Sequence, residues 1–340
     1  MESIKPSQLK EAIRDMVRIN EGEKNPRDSL TLMIYGSPGI GKSEIVAQVA
    51  RETGRELKDV RLSLLDPVDL RGLPGVTEGI TTWNPPVFFP HDPKSTGILF
   101  LDELTIAPPM LQGAAYQIIR DRASGEYTLP DKWITIGAGN KSTDGAISHR
   151  MGTALGSRLV QVELEVDNEE WIEWAIGNGV QAEIMAFLRF RPELLMKFSA
   201  KESTFPCPRT WDFVSRILEY QEDPIMRRLL ISGSIGVETS AEFMGFLNIW
   251  EGLPDVDEIL KTGKLSTPTP TEPSVIYALM GCLAHEANVQ NFPNVVKYIG
   301  GNIGSEFQVV CIRDSVRRNR KLGQTKSYVD WCLENKEIHL

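Results

Sequence analysis

Gly36-Ser37-Pro38-Gly39-Ile40-Gly41-Lys42-Ser43 is the stretch of sequence that decides the fold of this chain. A β-branched and apolar run precedes it at 30–35, and an amphipathic helical pattern follows it at 43–52. The stretch matches the pattern G-x-x-x-x-G-K-[S/T], in which glycines let the backbone turn its N–H groups inward around phosphate groups. The order of strand, glycine-rich loop and helix therefore predicts a phosphate-binding loop, or P-loop.

The residues of this loop have separate predicted roles in binding ATP and Mg²⁺. Lys42 reaches the β- and γ-phosphates, Ser43 is a ligand of the magnesium ion, and the helix N-terminus adds positive potential. The other six residues surround the phosphates with backbone groups: Gly36, Ser37, Pro38, Gly39, Ile40 and Gly41. A glycine-rich turn with an accidental lysine is the bland alternative, and the strand before the loop and the helix after it argue against it.

Apolar runs on both sides of the loop predict a parallel sheet. Up to about residue 122, short β-rich runs alternate with helical patterns such as 108–120, as in a sheet built from strand–helix–strand units. Five strands are expected, at 30–35, 57–62, 97–101, 133–138 and 159–164. The ligand of such a sheet binds at the carboxyl ends of its strands.

The chain is predicted to divide into two domains. Residues 1–166 form a P-loop NTPase α/β domain whose five-stranded parallel sheet is flanked by helices, and residues 167–340 form a helical lid and C-terminal helical region. Two glycine-containing segments, 70–83 and 124–130, interrupt the α/β alternation and are predicted hairpins. After residue 167 helical patterns follow one another, at 169–177, 181–190, 211–219, 240–250, 273–287, 294–299 and 327–333.

Polar side chains follow two of the predicted strands. An apolar strand ends in Asp102 and Glu103, and the strand that begins at Trp133 is followed by Asn140. Downstream of a P-loop, Asp102 is expected to hold Mg²⁺ through water, and Glu103 to polarise the attacking water. Asn140 is expected to orient the same water; a turn-forming asparagine is its structural alternative. Together these residues predict hydrolysis of ATP rather than transfer of its phosphoryl group.

Composition and charge exclude several classes of protein. No stretch approaches the roughly 18 to 20 uninterrupted apolar residues of a membrane span, and the first ten residues are unlike a secretory signal, so a cytoplasmic location is expected. Cys207, Cys282, Cys311 and Cys332 are scattered without a Cys-x-x-Cys pair, which predicts buried thiols rather than a zinc site or disulfides. The net charge of −9 argues against nucleic acid as the main partner.

Several motifs, in this order, resemble the MoxR group of AAA+ ATPases, and the resemblance covers nearly the whole chain. The motifs are the P-loop, Asp66-Pro67-Val68-Asp69-Leu70-Arg71-Gly72-Leu73-Pro74, Trp83-Asn84-Pro85-Pro86, 99–104, Ala107-Pro108-Pro109, Gly125-Glu126-Tyr127, Ala138-Gly139-Asn140, Ser157-Arg158-Leu159 and Phe205-Pro206-Cys207-Pro208-Arg209-Thr210-Trp211. One segment departs from the broader family: 137–141 reads Gly-Ala-Gly-Asn-Lys where many relatives carry Thr-Gln-Asn-Pro, although the asparagine is kept.

The resemblance implies roles that spacing alone does not. Arg158 matches the arginine finger that reaches the γ-phosphate of a neighbouring subunit, Arg209 matches the second sensor in the lid, Asn140 the first sensor, and Arg150 is a further candidate interface arginine. The segment 70–83 corresponds to the helix-2 insert that points to the central pore. The implied assembly is a homo-oligomeric ring, usually a hexamer, often with a partner carrying a von Willebrand factor A domain, that remodels or assembles a protein client.

Two other functions remain open at this point. A nucleic-acid motor is known among related AAA+ proteins, but the acidic composition and the lack of a recognisable DNA-binding motif disfavour it. A P-loop small-molecule kinase acting as a monomer would need neither Arg158 nor a long helical lid.

Overall fold

The computed structural model of the chain describes residues 1–141, 153–199 and 202–335. The chain folds into two compact units, Met1–Asp167 and Asn168–Leu340. The first unit is an α/β domain and the second is helical. Arg150 lies outside the described residues.

The strands of the first unit alternate with helices, as predicted. In chain order the strands are β1 (Ser3–Ile4), β2 (Thr31–Tyr35), β3 (Glu56–Arg61), β4 (Leu73–Thr77), β5 (Ile80–Asn84), β6 (Gly97–Asp102), β7 (Ala123–Ser124), β8 (Tyr127–Thr128), β9 (Trp133–Gly139) and β10 (Leu159–Leu164). The helices are α1 (Pro6–Gly22), α2 (Lys42–Glu52), α3 (Pro67–Arg71), α4 (Pro109–Asp121) and α5 (Thr153–Gly156).

Within the described residues, six parallel strands form the main sheet in the order β1-β10-β2-β9-β6-β3. The predicted parallel sheet is confirmed, but the prediction of five strands was one short. Ser3 and Ile4 add the sixth strand by pairing with Glu163 and Leu164. A strand of two residues is too short to show an alternating pattern, so it leaves no signal in the sequence.

The central strands β6 and β9 are buried along their whole length. Their near-continuous apolar sequences suit strands covered on both faces. Where the two strands begin, Gly97 lies against the Trp133 ring, and a Cβ at position 97 would come within 2.5 Å of it. The indole of Trp133 also donates a hydrogen bond of 2.9 Å to the Ser95 hydroxyl. This contact aligns β6 and β9, the two strands whose carboxyl ends are followed by polar residues.

Two hairpins project from this unit, close to the predicted segments. Strands β4 and β5 form the first, and its turn has Glu78 and Gly79 at φ of 52° and 78°, as in a type I′ turn. This hairpin begins at Leu73 rather than at residue 70, because Pro67 and the Asp66–Asp69 capping box make 67–71 helical. Strands β7 and β8 form the second hairpin.

Among the described residues of the second unit, helices are the only regular secondary structure, as predicted. Its helices are α6 (Asn168–Gly177), α7 (Ala182–Phe190), α8 (Pro208–Tyr220), α9 (Pro224–Ile235), α10 (Val237–Glu251), α11 (Val256–Thr262), α12 (Pro273–Glu286), α13 (Phe292–Asn302), α14 (Ser305–Arg318) and α15 (Lys326–Glu334). A buried ion pair joins α7 to α14, with Arg189 Nη2 donating to Asp314 Oδ1 at 2.7 Å.

The cysteines match their prediction in part. Cys207 and Cys311 are buried, whereas Cys282 and Cys332 are only half-buried. All four are free thiols. Among the helices that the structure describes, none combines the length and the apolar character needed to cross a membrane.

Candidate functional site

The P-loop joins the end of β2 to the start of α2, as its sequence predicts. Lys42 is the first residue of α2, and its side chain folds back over the loop. Its ammonium group donates hydrogen bonds to the carbonyl oxygens of Gly36 at 2.6 Å and Ser37 at 3.0 Å, and to Asn140 Oδ1 at 3.3 Å. Only 9% of Lys42 is exposed, so the loop holds a buried positive charge at its centre.

Glycine is required at several points of this loop. Gly39 and Gly41 have φ of 79° and 97°, a region that other residues rarely adopt. At Gly36 the constraint is space, since a Cβ would come within 2.4 Å of the Ile40 side chain and 3.1 Å of the Leu164 carbonyl oxygen. The loop therefore has the tight backbone that lets N–H groups approach phosphates.

Asp102 and Ser43 form a hydroxyl–carboxylate pair beside Lys42. The Ser43 hydroxyl donates a hydrogen bond of 2.8 Å to Asp102 Oδ2, and Asp102 is 9% exposed. Mg²⁺ in nucleotide sites takes one or two protein oxygens and completes its shell with phosphate oxygens and waters. Among the described residues no group of three or more His, Cys, Asp or Glu could hold a metal alone. The pair thus fits a magnesium ion that arrives with a nucleotide.

Glu103 follows Asp102 in an unusual backbone conformation. Its φ is 58°, which is uncommon for a residue with a side chain and is often found at functional sites. Its backbone N–H donates to Asp102 Oδ1 at 2.8 Å. The Ser63 hydroxyl, in the turn after β3, donates a hydrogen bond to the Glu103 carboxylate. The carboxylate is therefore held by a residue that follows the neighbouring strand.

Asn140 directly follows β9, and its backbone is held by Thr105, which lies in the same turn as Glu103. Its backbone N–H donates to the Thr105 hydroxyl at 3.0 Å, and this hydroxyl lies 3.3 Å from the Asn140 carbonyl oxygen. Thr105 is buried. A Cβ at Gly139 would come within 2.5 Å of Thr105, so glycine at 139 lets the threonine approach.

The register of the sheet explains why these residues meet. Tyr35, the last residue of β2, pairs with Gly139, and Leu101 pairs with Gly137. The carboxyl ends of three adjacent parallel strands therefore lie side by side. This edge brings together five of the predicted site residues: Lys42, Ser43, Asp102, Glu103 and Asn140.

Asp59 responds to the negative charge of this site from the edge strand β3. Its pKa is raised, first because its carboxyl group is partly desolvated and second because Asp102 lies nearby, with a smaller contribution from Glu103. Arg61 opposes the shift. The residue keeps an exposed surface, so solvent screens part of this repulsion.

Arg158 lies at the other end of the strands, where β2 and β10 begin. Leu159, the next residue, pairs with Thr31, which is the first residue of β2. The five residues of β2 span about 16 Å, so Arg158 is separated from the P-loop by more than one arginine side chain can reach. Arg158 is exposed, and its guanidinium lies 5.5 Å from the centre of the Tyr116 ring.

Arg209 belongs to the second unit, where it is an exposed residue at the start of α8. Ser63 and Thr105 were not predicted to be site residues. Both are hydroxyl residues next to apolar runs, a signal too common to single them out. Their contacts form between strands that are distant in the sequence.

A family model described as an AAA domain of the dynein-related subfamily, AAA_5, matches residues 31–159. Residues 31–159 therefore resemble an AAA domain in sequence. The match spans β2 to the start of β10 and so includes the P-loop, Asp102, Glu103 and Asn140. The chain is an ATP-hydrolysing enzyme with the P-loop fold of the AAA+ class.

No protein with a curated description matches the sequence. Solved structures that match the chain include an ATPase candidate from Cytophaga hutchinsonii, with 11% identity over 98% of this chain and 95% of that one and a TM-score of 0.35. A RuvB mutant from Thermotoga maritima has 17% identity over 89% and 86% of the two chains and a TM-score of 0.40. NtrX from Brucella abortus, in complex with ADP, has 15% identity over 96% and 67% and a TM-score of 0.38. Similarity of this degree carries no conclusion about substrate or assembly.

Proposed function

We propose that this chain is the ATPase subunit of a MoxR-type ring that remodels or assembles a protein client. The single observation that carries the ring is the position of Arg158. Its strand register puts about 16 Å of sheet between it and the P-loop of its own chain. A guanidinium that stabilises the transferring phosphoryl group must contact it, so we propose that Arg158 serves the site of another subunit.

In the proposed site, each side chain of the polar edge has one task. Lys42 exchanges its carbonyl partners for the β- and γ-phosphates of ATP, whose charge it balances. Ser43 and Asp102 would hold Mg²⁺, which would neutralise phosphate charge during the reaction. Glu103 accepts the proton of the attacking water, and Asn140 orients that water. Arg209 is proposed to contact the γ-phosphate from the lid.

The first hairpin supports a protein client. Leu73, Val76 and Ile80 are apolar residues of β4 and β5, and each is about two-thirds or more exposed. An apolar surface on a projecting hairpin suits contact with exposed apolar segments of another protein. In a ring of this group, usually of six subunits, the hairpin would lie toward the pore. A partner with a von Willebrand factor A domain is proposed from the resemblance to the MoxR group.

The dependence of specific activity on protein concentration tests the ring. We expect ATP turnover per subunit to rise with concentration and to level off as subunits assemble, because each site needs an arginine from a neighbour. Turnover per subunit that stays constant while sedimentation shows monomers throughout would contradict the proposal. A monomeric small-molecule kinase would give that constant result.

The client class is tested by capture with a Glu103→Gln variant, which should bind ATP without hydrolysing it. We expect ATP-dependent retention of protein, with wild-type protein and ADP as matched controls. Stimulation of ATP turnover by DNA or RNA, with no protein retained, would instead favour a nucleic-acid motor.

A further inference from the structure

Tyr116 and Arg158 form a cation–π pair on the surface of the first unit. Tyr116 lies in the second half of α4, and the Arg158 guanidinium carbon lies 5.5 Å from the centre of its ring. This distance is within the range in which the negative face of an aromatic ring attracts a cation. Tyr116 is half-buried and packs against the hydrophobic core of the unit, so the ring itself is anchored.

The backbone of Arg158 is anchored as well. Leu155 is buried in the same core, and Leu159 packs against it. Between them the N–H of Arg158 donates a hydrogen bond of 3.0 Å to the Leu155 carbonyl oxygen, which closes a turn. The chain is thus fixed on both sides of Arg158, and the Tyr116 ring restricts the direction of its long side chain.

A second arginine lies on the same ring and offers an internal control. The guanidinium carbon of Arg120 is 5.3 Å from the ring centre of Tyr116. Its Nε donates a hydrogen bond of 2.6 Å to Asp121 Oδ1, and its Nη2 donates to Oδ2 of the same carboxylate. This bidentate pair balances the charge of Arg120 within the subunit. Arg120→Ala therefore removes one of the two cations on the ring and keeps both Tyr116 and Arg158.

We propose that Tyr116 is a positioning residue for Arg158 and holds its guanidinium ready for the active site of the adjacent subunit. This inference rests on the proposed role of Arg158 in trans. Long side chains lose rotamer entropy when they are fixed, and a ring that fixes Arg158 before assembly removes part of that cost from the transition state. Tyr116 acts only through Arg158 and contacts no reacting atom.

The test compares Tyr116→Phe, which keeps an aromatic face, with Tyr116→Leu, which keeps much of the core packing but removes the ring. We expect Tyr116→Leu to lower kcat roughly 5- to 30-fold with KM within about twofold, because the lost contact supports only a transition-state interaction. Tyr116→Phe should stay within about twofold of wild type. Gln117→Leu, on the same helix, and Arg120→Ala are controls that should stay within about threefold.

Two further measurements separate positioning from a general folding effect. Tyr116→Leu/Arg158→Ala should be no slower than Arg158→Ala alone, since the ring acts through the arginine. Mixing Tyr116→Leu with Lys42→Ala should restore turnover, because the Lys42→Ala subunit supplies an intact Tyr116–Arg158 pair to an intact P-loop. Three results would overturn the inference. Tyr116→Leu could keep full activity, it could lower kcat equally in the Arg158→Ala background, or Arg120→Ala could lower kcat as much as Tyr116→Leu does.

The mixture of Arg158→Ala with Lys42→Ala distinguishes the inference from the proposal on which it rests. If that mixture assembles and regains turnover while the Tyr116 variants behave like wild type, only the role of Tyr116 is wrong. If that mixture assembles and stays inactive, Arg158 is not a finger and the role of Tyr116 is contradicted with it.

Discussion

At the scale of single residues, two carboxylates at the end of one strand have different surroundings. Asp102 accepts a hydrogen bond from the Ser43 hydroxyl, whereas Glu103 has a positive φ and accepts one from the Ser63 hydroxyl. Asp102 is thus paired with a hydroxyl of the kind that binds Mg²⁺, and Glu103 stays available as a base. Hydrolysis of a magnesium–nucleotide complex requires this division, because one carboxylate serves the metal and the other activates water.

The first prediction separates binding from hydrolysis. Lys42→Ala should lose nucleotide binding, because the ammonium is the main counter-charge to the phosphates. Glu103→Gln should bind ATP normally and hydrolyse it at least about 100-fold more slowly, since a general base contributes roughly that much. Binding is measured with a fluorescent ATP analogue and hydrolysis by phosphate release. Hydrolysis near the wild-type rate in Glu103→Gln would show that another group activates the water.

The second prediction concerns Thr105. Thr105→Val keeps the shape of the side chain but removes the hydroxyl that accepts from the Asn140 N–H. We expect kcat to fall about tenfold with nucleotide affinity unchanged, because Asn140 loses part of its support. Thr105→Ser, which keeps the hydroxyl, is the matched control. Equal rates for the valine and serine variants would show that the Thr105 hydroxyl does not support Asn140.

Most of the phosphate site can be predicted from the sequence, because the P-loop is a local motif and the strands that end in Asp102 and Asn140 are strongly apolar. Ser63 and Thr105 could not be predicted in the same way. Ser63 contacts Glu103, 40 positions away, and Thr105 contacts Asn140, 35 positions away. Such pairs depend on the order and register of strands, which the sequence pattern does not determine.

At the scale of elements, the edge strand β3 carries an electrostatic strain. Because the pKa of Asp59 is raised, the folded state binds the proton of its carboxyl group more tightly than the unfolded state does. The contribution of Asp59 to unfolding free energy therefore falls as the pH rises from the ordinary aspartate range through the folded pKa, and stays low above it.

The third prediction follows from that sign. Asp59→Asn should raise the Tm relative to wild type at pH 7, and the difference should shrink as the pH falls toward about 4. Thermal unfolding at several pH values, without nucleotide or Mg²⁺, measures it. Glu56→Gln on the same strand, which loses an ion pair with Lys58, should give no gain. A lower Tm for Asp59→Asn at pH 7 would contradict the unfavourable burial and repulsion assigned to the Asp59 carboxylate.

The first hairpin combines a fixed base with an exposed tip. At the base, the Arg71 guanidinium lies 5.1 Å from the centre of the Trp83 ring, and the backbone N–H of Trp83 donates to Glu126 Oε2 at 3.3 Å. Toward the tip, Val76 and Ile80 are 77% and 68% exposed. The Trp83–Glu126 hydrogen bond ties the base to the second hairpin. At the start of the second hairpin, the Ser124 hydroxyl donates a hydrogen bond of 2.7 Å to the Leu70 carbonyl oxygen, just before the first hairpin.

The fourth prediction uses the exposed tip. Val76→Asp/Ile80→Asp in the Glu103→Gln background should retain about tenfold less client protein in the capture experiment, because the charges oppose apolar contact. ATP binding should be unchanged, since neither residue lies at the polar edge. In an otherwise wild-type chain, basal turnover should stay within a few-fold. Undiminished capture would show that the client binds at another surface of the chain.

Several helices left too weak a pattern to be predicted. In α9, the apolar residues Ile225, Met226, Leu229 and Leu230 are exposed, so no apolar stripe facing a core marks this helix. In α14, charged Arg313 and Asp314 lie in partly or fully buried positions and interrupt the pattern. Strand β1 depends wholly on its partner β10. Helices with a clear apolar face, such as α2 and α4, were predicted to within one residue.

At the scale of the whole molecule, the proposed activity depends on cooperation between copies of the chain. The polar edge of one sheet supplies the carboxylates and the P-loop, and the opposite edge supplies Arg158. On this proposal an isolated subunit would be a poor enzyme, and ATP turnover would depend on assembly. Arginine fingers in other systems contribute roughly 10³ to 10⁵ in rate, so the effect is large enough to measure in mixed assemblies.

The fifth prediction addresses the sharing of the site between subunits, through ATP turnover in mixtures of Arg158→Ala and Lys42→Ala at varied ratios. Each variant alone should be nearly inactive, since the first lacks the finger and the second lacks a working P-loop. Mixed assemblies should regain turnover, with a maximum at intermediate ratios, because some neighbours then join a wild-type arginine to a wild-type P-loop. Co-purification of differently tagged chains establishes that both variants enter one assembly. Turnover that stays at the level of the single variants at every ratio, despite co-purification, would contradict the role of Arg158 in trans.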